Sequence, residues 1–343
     1  MSGEQSDVYL GLDIGGTKIG MCVGTPDGKV LASERIANDR GATPDEMLRK
    51  CKGVLERLLR SVGVEQADRG LTPLGSDRVL ALGAACPGPL DYKGGKFINP
   101  PNNPGWHGFG LREWLKQNFA CPSAMMNDAN AAAYAEWLWG AAKGTNTAVF
   151  LTCSTGMGAG LIVDGRLFEG PLGLAGEIGR IRLSAGDDGP VGFGRRGSVE
   201  GYCSGPGMSQ MAASEATVCI HTNEKSVLRE VLAAEGIISP EKLFEAARAG
   251  DAAARRVTDR VALELGRIMA ILTDVLNPEV FVLGTIGAAY PELLIPRAIE
   301  TIRAIALEST SAIVRVLPST LPNRGDQQAL AVAHYTFASG AKG

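Results

Sequence analysis

Val8-Tyr-Leu-Gly-Leu-Asp-Ile-Gly-Gly-Thr-Lys18 is an apolar run that closes on a carboxylate, two glycines, a hydroxyl and an ammonium. A short apolar run ending at glycines is the pattern of a strand entering a tight turn. Gly15 and Gly16 let backbone N–H groups approach an anion, and Asp13, Thr17 and Lys18 add groups suited to phosphate and hydrated Mg²⁺. Taken alone, the stretch fits a plain β-hairpin equally well. Downstream, Ile19–Gly24 and, after Thr25-Pro-Asp-Gly28, Lys29–Ser33 read as two more strands. From Thr43, Pro44 at a first helical position, the acidic pair Asp45-Glu46 and apolar Met47, Leu48, Val54, Leu55, Leu58 and Leu59 predict a capped amphipathic helix. Arg78–Ala85 predicts a buried strand that stops at Cys86-Pro-Gly-Pro89. Leu111–Phe119 predicts a short helix, and Ser123–Met126 a strand. Asn127-Asp-Ala-Asn130 opens an alanine-rich helix that runs to about Ala142.

Thr147–Glu169 repeats the opening plan: apolar strand, glycine-rich turn Ser154-Thr-Gly-Met-Gly158, strand Ala159–Val163, turn Asp164-Gly165, strand. Meandering strands followed by α/β units, occurring twice, predict duplicated α/β lobes with a cleft lined by the two glycine-rich hairpins. Thr155, Gly156 and Gly158 would then meet the phosphates of one nucleotide from the side opposite the first turn. Ser239–Thr273 reads as helical, with a long apolar-periodic stretch over Ala252–Asp274 that leads into the strand Glu279–Gly284. Gly284-Thr-Ile-Gly287 places a permissive backbone at a strand's carboxyl end, where ligands bind in α/β proteins. Asp326–Phe337 predicts a last helix packed back on the first lobe. The expected lobes are residues 1–126, joined by 323–343, and residues 127–322.

The chain's 343 residues exceed the ~150 expected of one domain, and 45% hydrophobic with 21% charged residues suffices for a large core. A net charge of -3 with no basic block argues against nucleic acid as a partner. The seven cysteines are scattered without a C-x-x-C pair and read as reduced, buried residues of a cytoplasmic protein. Met1–Asp7 is polar and runs straight into a strand, and no apolar run reaches spanning length, so neither a signal peptide nor a membrane partner is expected.

Asp128 stands at the start of the alanine-rich helix, where the helix dipole favours a carboxylate and a cap is the ordinary role. Asn127 and Asn130 flank it, and Asn99-Pro-Pro-Asn-Asn-Pro-Gly-Trp106 offers amides of the kind that recognise hydroxyls. Phosphoryl transfer needs positioning, a metal, charge stabilisation and one base for the attacking hydroxyl, and Asp128 can be that base. His107, His221 and His334 are isolated and receive no chemistry. Among Trp106, Trp114, Trp137 and Trp139, any can stack on a sugar face, but Trp137 and Trp139 read as core or interface anchors.

Seven motifs in order resemble the ROK sugar-kinase family, bacterial glucokinase-like proteins of the actin and hexokinase superfamily, over nearly the whole chain. They are Asp13-Ile-Gly-Gly-Thr-Lys18, Cys86-Pro-Gly88, Asn103-Pro-Gly-Trp106, Asn127-Asp-Ala-Asn130, Ser154-Thr-Gly-Met-Gly158, Gly176-Glu-Ile-Gly179 and Asn277-Pro-Glu-Val280 before Gly284. The resemblance implies an actin-like, hexokinase-type α/β fold of duplicated ribonuclease-H-like lobes. It implies ATP- and Mg²⁺-dependent transfer to a hexose hydroxyl, first of all the 6-OH of glucose, by a homodimer or higher homo-oligomer. Asp128 becomes the catalytic base, Asn103, Asn127, Glu177 and Glu200 bind sugar hydroxyls, and Gly88 shapes the pocket. Asp13, Gly15, Gly16, Thr17, Lys18, Thr155, Gly156, Gly158 and Gly284 form the ATP set, with Asp13 reaching Mg²⁺ through water.

The chain departs from the family at one corner. The usual Glu-x-Gly-His ends in Arg180, and the usual Cys-x-Cys-Gly-x-x-Gly-Cys-x-Glu stands as Val191-Gly-Phe-Gly-Arg-Arg-Gly-Ser-Val-Glu200. Without three thiolates and the histidine no tetrahedral zinc set assembles, and Cys203 alone does not restore it. No zinc is expected. Arg180 then reads as a replacement sugar contact or as an ion pair with Glu177 or Glu200 in the vacated corner. The alternatives are a kinase for mannose, fructose or an N-acetylhexosamine, and polyphosphate as donor. A non-catalytic sugar-binding regulator is opposed by Asp128 and both turns. A repressor would carry a helix-turn-helix ahead of the first turn, where twelve residues precede Asp13.

Overall fold

The structure is a computed structural model that describes residues 7–65, 74–100, 102–184, 186 and 189–340. Met1–Ser6, Pro101 of the Asn99–Trp106 loop and residues 341–343 lie outside them. The chain begins with β1 (Val8–Ile14), β2 (Lys18–Gly24), β3 (Val30–Ala37), α1 (Pro44–Ser61) and β4 (Val79–Cys86). The short β5 (Leu90–Asp91) and β6 (Lys96–Phe97), α2 (Leu111–Asn118), β7 (Ser123–Asn127) and α3 (Asp128–Trp139) follow. Next come β8 (Ala148–Cys153), β9 (Met157–Val163), β10 (Arg166–Leu167), β11 (Val191–Gly192) and β12 (Arg195–Arg196). Helices α4 (Val199–Cys203), α5 (Gly205–Thr222), α6 (Val227–Glu235), α7 (Pro240–Arg248) and α8 (Ala252–Leu276) lead to β13 (Val280–Leu283). The chain closes with α9 (Thr285–Ala289), α10 (Pro291–Ile305), α11 (Glu308–Ser311), β14 (Arg315–Pro318) and α12 (Arg324–Ala338).

Two compact units result. The first takes the chain through Lys143, Leu167–Ala175 and the chain from Leu321; the second takes Gly144–Arg166 and Gly176–Thr320. The first unit's sheet has the order β3-β2-β1-β4-β7, and a second sheet runs β10-β9-β8-β13-β14. β1 pairs antiparallel with β2 and parallel with β4, as β8 pairs antiparallel with β9 and parallel with β13. The same plan is therefore built twice.

Local chemistry explains the elements of the first unit. Thr43 caps α1 in a reciprocal pair with Glu46, Pro44 fills the first turn, and Met47, Leu48, Cys51, Val54, Leu55, Leu58 and Leu59 are buried at helical spacing. β3 runs on to Ala37, past the expected end at Ser33, because no residue of this edge strand is fully buried: Arg35 stands on its exposed face and Glu34, on the other, pairs with Arg57 at 2.9 Å. α12 lies against β1, β4 and α3. It approaches the sheet over Gly83, where an added Cβ would fall 2.7 Å from a Val332 backbone carbon.

The unit boundary differs from the expected one after Met126. α3 is buried on most sides, with Ala129, Ala131, Ala132, Ala133 and Ala135 enclosed, and packs on both α12 and β7, so it belongs to the first unit. Leu167–Ala175 joins it as well, since Glu169 hydrogen-bonds Tyr335 and Gly173 sits against the Tyr92 ring. α5, α10 and β14 are further elements that the apolar pattern did not reveal; α10 contains Pro296, and α5 opens on Gly-Pro-Gly.

Candidate active site

In the first unit, β1, β4 and β7 run parallel and end together, with Asp13 opposite Ala85 and Cys86 opposite Asn127. Asp13, Gly88 and Asn127-Asp128 thus issue from neighbouring carboxyl ends of one sheet. At the β1–β2 turn, Gly15 N–H donates to the Lys18 carbonyl at 3.0 Å. Among the described residues no acceptor meets the Gly16 or Thr17 amide, and Thr17 and Lys18 are exposed. These donors suit a phosphate oxygen.

Asn103, expected to meet sugar hydroxyls, is only 3% exposed and braces this turn. The Asn38 side-chain amide donates to the Gly15 carbonyl at 2.8 Å and to Asn103 Oδ1 at 2.9 Å, while Asn103 Nδ2 donates to the Gly15 carbonyl at 3.4 Å. Gly16 seats on the same loop, because a Cβ there would lie 2.6 Å from Asn102 Cβ. Asn38→Ala strips a buried acceptor of its donor and is expected to lower stability by about 1–3 kcal/mol. All four tryptophans lie in the first unit, so a lower urea midpoint in tryptophan fluorescence reads this effect, and an unchanged midpoint contradicts the bridge.

Asp13 faces Arg35 Nη1 at 3.7 Å, and Arg35 Nη2 reaches Asp326 Oδ1 at 3.0 Å. Burial pushes the Asp13 carboxyl above its usual range, Arg35 opposes this, and the Asp326 charge adds to it. Asp326 is raised by burial and lowered by Arg35 in the same way. Hard cations take carboxylate oxygens, and Mg²⁺ keeps several waters, so this part-exposed carboxylate fits a water-mediated hold on Mg²⁺. Sequence reading missed Arg35, Asn38 and Asp326; an acidic residue in the first turn of α12, just ahead of the apolar run Ala329–Ala333, was the available signal.

Asn127 is the N-cap of α3, its Oδ1 accepting from the Ala129 amide at 2.9 Å and the Asn130 amide at 3.4 Å. Asp128 follows in the first helical turn, exposed, with Oδ1 accepting from Ala129 N–H at 2.8 Å. Gly88 lies beside Asn127, since a Cβ would fall 2.8 Å from Asn127 Nδ2. Tyr92, unforeseen, anchors the corner: its hydroxyl accepts from Asn127 N–H at 2.9 Å and meets the Asn130 side chain, and burial pushes its pKa well up. Trp106 and Trp114 are not sugar platforms. Trp106 is 4% exposed and packs edge-on against Phe97, and Trp114 Nε1 donates to Asp45.

In the second unit, Ser154 N–H donates to the Gly156 carbonyl at 3.0 Å and the Ser154 carbonyl accepts from Gly205 at 2.7 Å, which ties the β8–β9 turn to the start of α5. Thr155 is exposed at the tip, with Gly156 and Gly158 half-buried. The Gly284 amide, expected to meet ATP, is taken by the Leu151 carbonyl at 2.8 Å. Thr285 holds a left-handed φ of 44°. Its hydroxyl donates to the Cys153 carbonyl at 2.5 Å and accepts from the Cys153 amide at 3.1 Å.

Glu200 Oε2 accepts from Met157 N–H at 3.3 Å. Burial pushes the Glu200 carboxyl up; the Met157 and Phe193 amides and the Arg180 charge pull it down, and Glu177 raises it again. Among the described residues no ion pair joins Arg180 to either glutamate; its guanidinium lies 4.6 Å over the Phe193 ring centroid. Glu177 and Arg180 are exposed. Cys203 is fully buried, and no group of three or more His, Cys, Asp or Glu among the described residues is placed to hold a metal. No described helix is long and apolar enough to cross a membrane.

Two sheets of one plan, each with a glycine-rich turn at its strand ends, are the architecture of the actin-like sugar kinases. The ROK family model matches residues 9–334, and the chain belongs to that family. It is 30% identical over 276 residues to a glucokinase of Halalkalibacterium halodurans, covering 80% of this chain and 79% of the relative. A Yersinia pestis N-acetylmannosamine kinase is 31% identical (82% and 83% covered), and a Caldicellulosiruptor bescii xylose repressor 27% identical (85% and 69%). The structure of a Streptomyces griseus ROK family glucokinase in complex with glucose and AMPPNP superposes with a TM-score of 0.73 at 26% identity, covering 96% and 99%.

Proposed function

We propose that this chain is a sugar kinase that transfers the γ-phosphoryl group of ATP to a hexose hydroxyl, with the 6-OH of glucose the leading acceptor. The observation that carries the reading is the placement of Asp13, Gly88 and Asp128 at adjoining strand ends, beside a turn whose Gly16 and Thr17 amides meet no acceptor among the described residues. Asp128 accepts the proton of the attacking hydroxyl, while Asn127, Glu177, Arg180 and Glu200 hold the remaining hydroxyls. The turns at Gly15–Lys18 and Thr155–Gly158 supply N–H, hydroxyl and ammonium groups to the phosphates. Held through water by Asp13, Mg²⁺ would offset phosphate charge. The protein works without zinc in this reading.

ADP release measured with glucose, mannose, fructose, glucosamine and the N-acetylhexosamines tests the proposal, with ATP and polyphosphate compared as donors. Glucose is expected to stimulate turnover most. A chain that no sugar stimulates is not a sugar kinase, and stoichiometric zinc in the purified protein overturns the metal assignment.

A further inference from the structure

β11 and β12 form a two-residue hairpin, with Val191 opposite Arg196 and Gly192 opposite Arg195, so Phe193 and Gly194 are its central pair. Both have positive φ, 49° and 69°. A hairpin with two left-handed central residues calls for Asn, Asp or Gly at the first of them. Asn99, Asp164, Asn223 and Asn277 are residues of that tolerant kind at other left-handed positions, and Thr285 has the Cys153 backbone for its hydroxyl. Phe193 has no polar group to offset the strain. Core packing does not explain it, because Phe193 is 42% exposed.

What Phe193 does touch is specific. Its ring carries the Arg180 guanidinium at 4.6 Å, its backbone amide donates to the Glu200 carboxylate, and Gly179 is tight against the ring, an added Cβ falling 3.1 Å from Cε2. We propose that Phe193 is a positioning residue that fixes Arg180 and Glu200 as a matched donor and acceptor for two neighbouring hydroxyls of the acceptor. Arginine on a long flexible stem binds poorly unless its planar fork is already oriented. A ring beneath the guanidinium holds it through its face and leaves the N–H donors for hydrogen bonds. Strain retained at a functional corner is the expected signature of such a device.

The inference rests on the reading of Arg180 and Glu200 as acceptor contacts, and its test separates the two. Phe193→Asn keeps the amide and suits the turn but removes the ring; Phe193→Trp restores a ring. The Asn variant is expected to raise the sugar KM by about 3–30-fold, with the ATP KM and kcat within about twofold of wild type and a thermal midpoint at or above that of wild type, because the left-handed strain is relieved. The Trp variant is expected to return the sugar KM to near the wild-type value. In an Arg180→Met background, Phe193→Asn is expected to add nothing to the sugar KM. A wild-type sugar KM in F193N, a full additional loss in the Arg180→Met background, or equal rises in both KM values with a lowered midpoint overturns the positioning role and leaves the kinase reading standing. A wild-type chain that no sugar stimulates overturns both.

Discussion

Replacing Asp128 by asparagine is expected to lower kcat by about 10²–10⁴-fold, the range a positioned general base contributes. Asparagine keeps an Oδ1 that can accept from Ala129 N–H as Asp128 Oδ1 does, and Asn127 keeps capping α3, so the start of the helix is preserved. The proton acceptor is removed, together with a charge at the helix N-terminus worth about 0.3–1 kcal/mol. The sugar KM and the thermal midpoint are therefore expected to stay close to wild type. Steady-state kinetics on the purified variant check this, and a wild-type kcat in D128N removes Asp128 from the mechanism.

Leu330→Ala is expected to destabilise the first unit by about 2–5 kcal/mol. Leu330 is fully buried in a cluster with Tyr9, Cys22, Ala81 and Ala333, on a helix that follows the second unit in sequence yet packs on β1 and β4. Sheet backbone and helix backbone meet there over Gly83, so the vacated volume cannot be closed by sliding the helix inward. Unfolding is followed by tryptophan fluorescence, which reports the first unit alone. A loss below about 1 kcal/mol would mean that α12 is not part of that core.

What was legible in the sequence was local. The β1 turn, the capped start of α1 and the start of α3 at Asn127-Asp128 each follow from residues within one turn of one another, although the side chain that caps α3 is Asn127 and not Asp128. The duplicated plan was legible too, because glycine-rich turns after apolar strands recur at Gly15 and Gly156. Long-range partnerships were not. Nothing near Asn103 announces that its amide will meet Asn38 rather than face outward, and nothing near Asp13 announces Arg35 and Asp326. The expected boundary after Met126 separates α3 from the unit it packs in, because an alanine-rich helix with no marked polar face does not say which two surfaces enclose it. Trp106 was offered as a sugar platform, whereas Phe97 and Phe109 enclose it. For Arg180 the sequence leaves a sugar contact and an ion pair with Glu177 or Glu200 open, and does not foresee the aromatic ring beneath it, whose residue holds a left-handed backbone.

Phosphorus NMR of the wild-type protein with ATP, Mg²⁺ and glucose tests the central claim most directly. A sugar phosphate ester signal growing in step with ADP, and absent when Asp128 is asparagine, is the expected result. ADP accompanied only by inorganic phosphate, or no loss of ATP with any hexose offered, would contradict it.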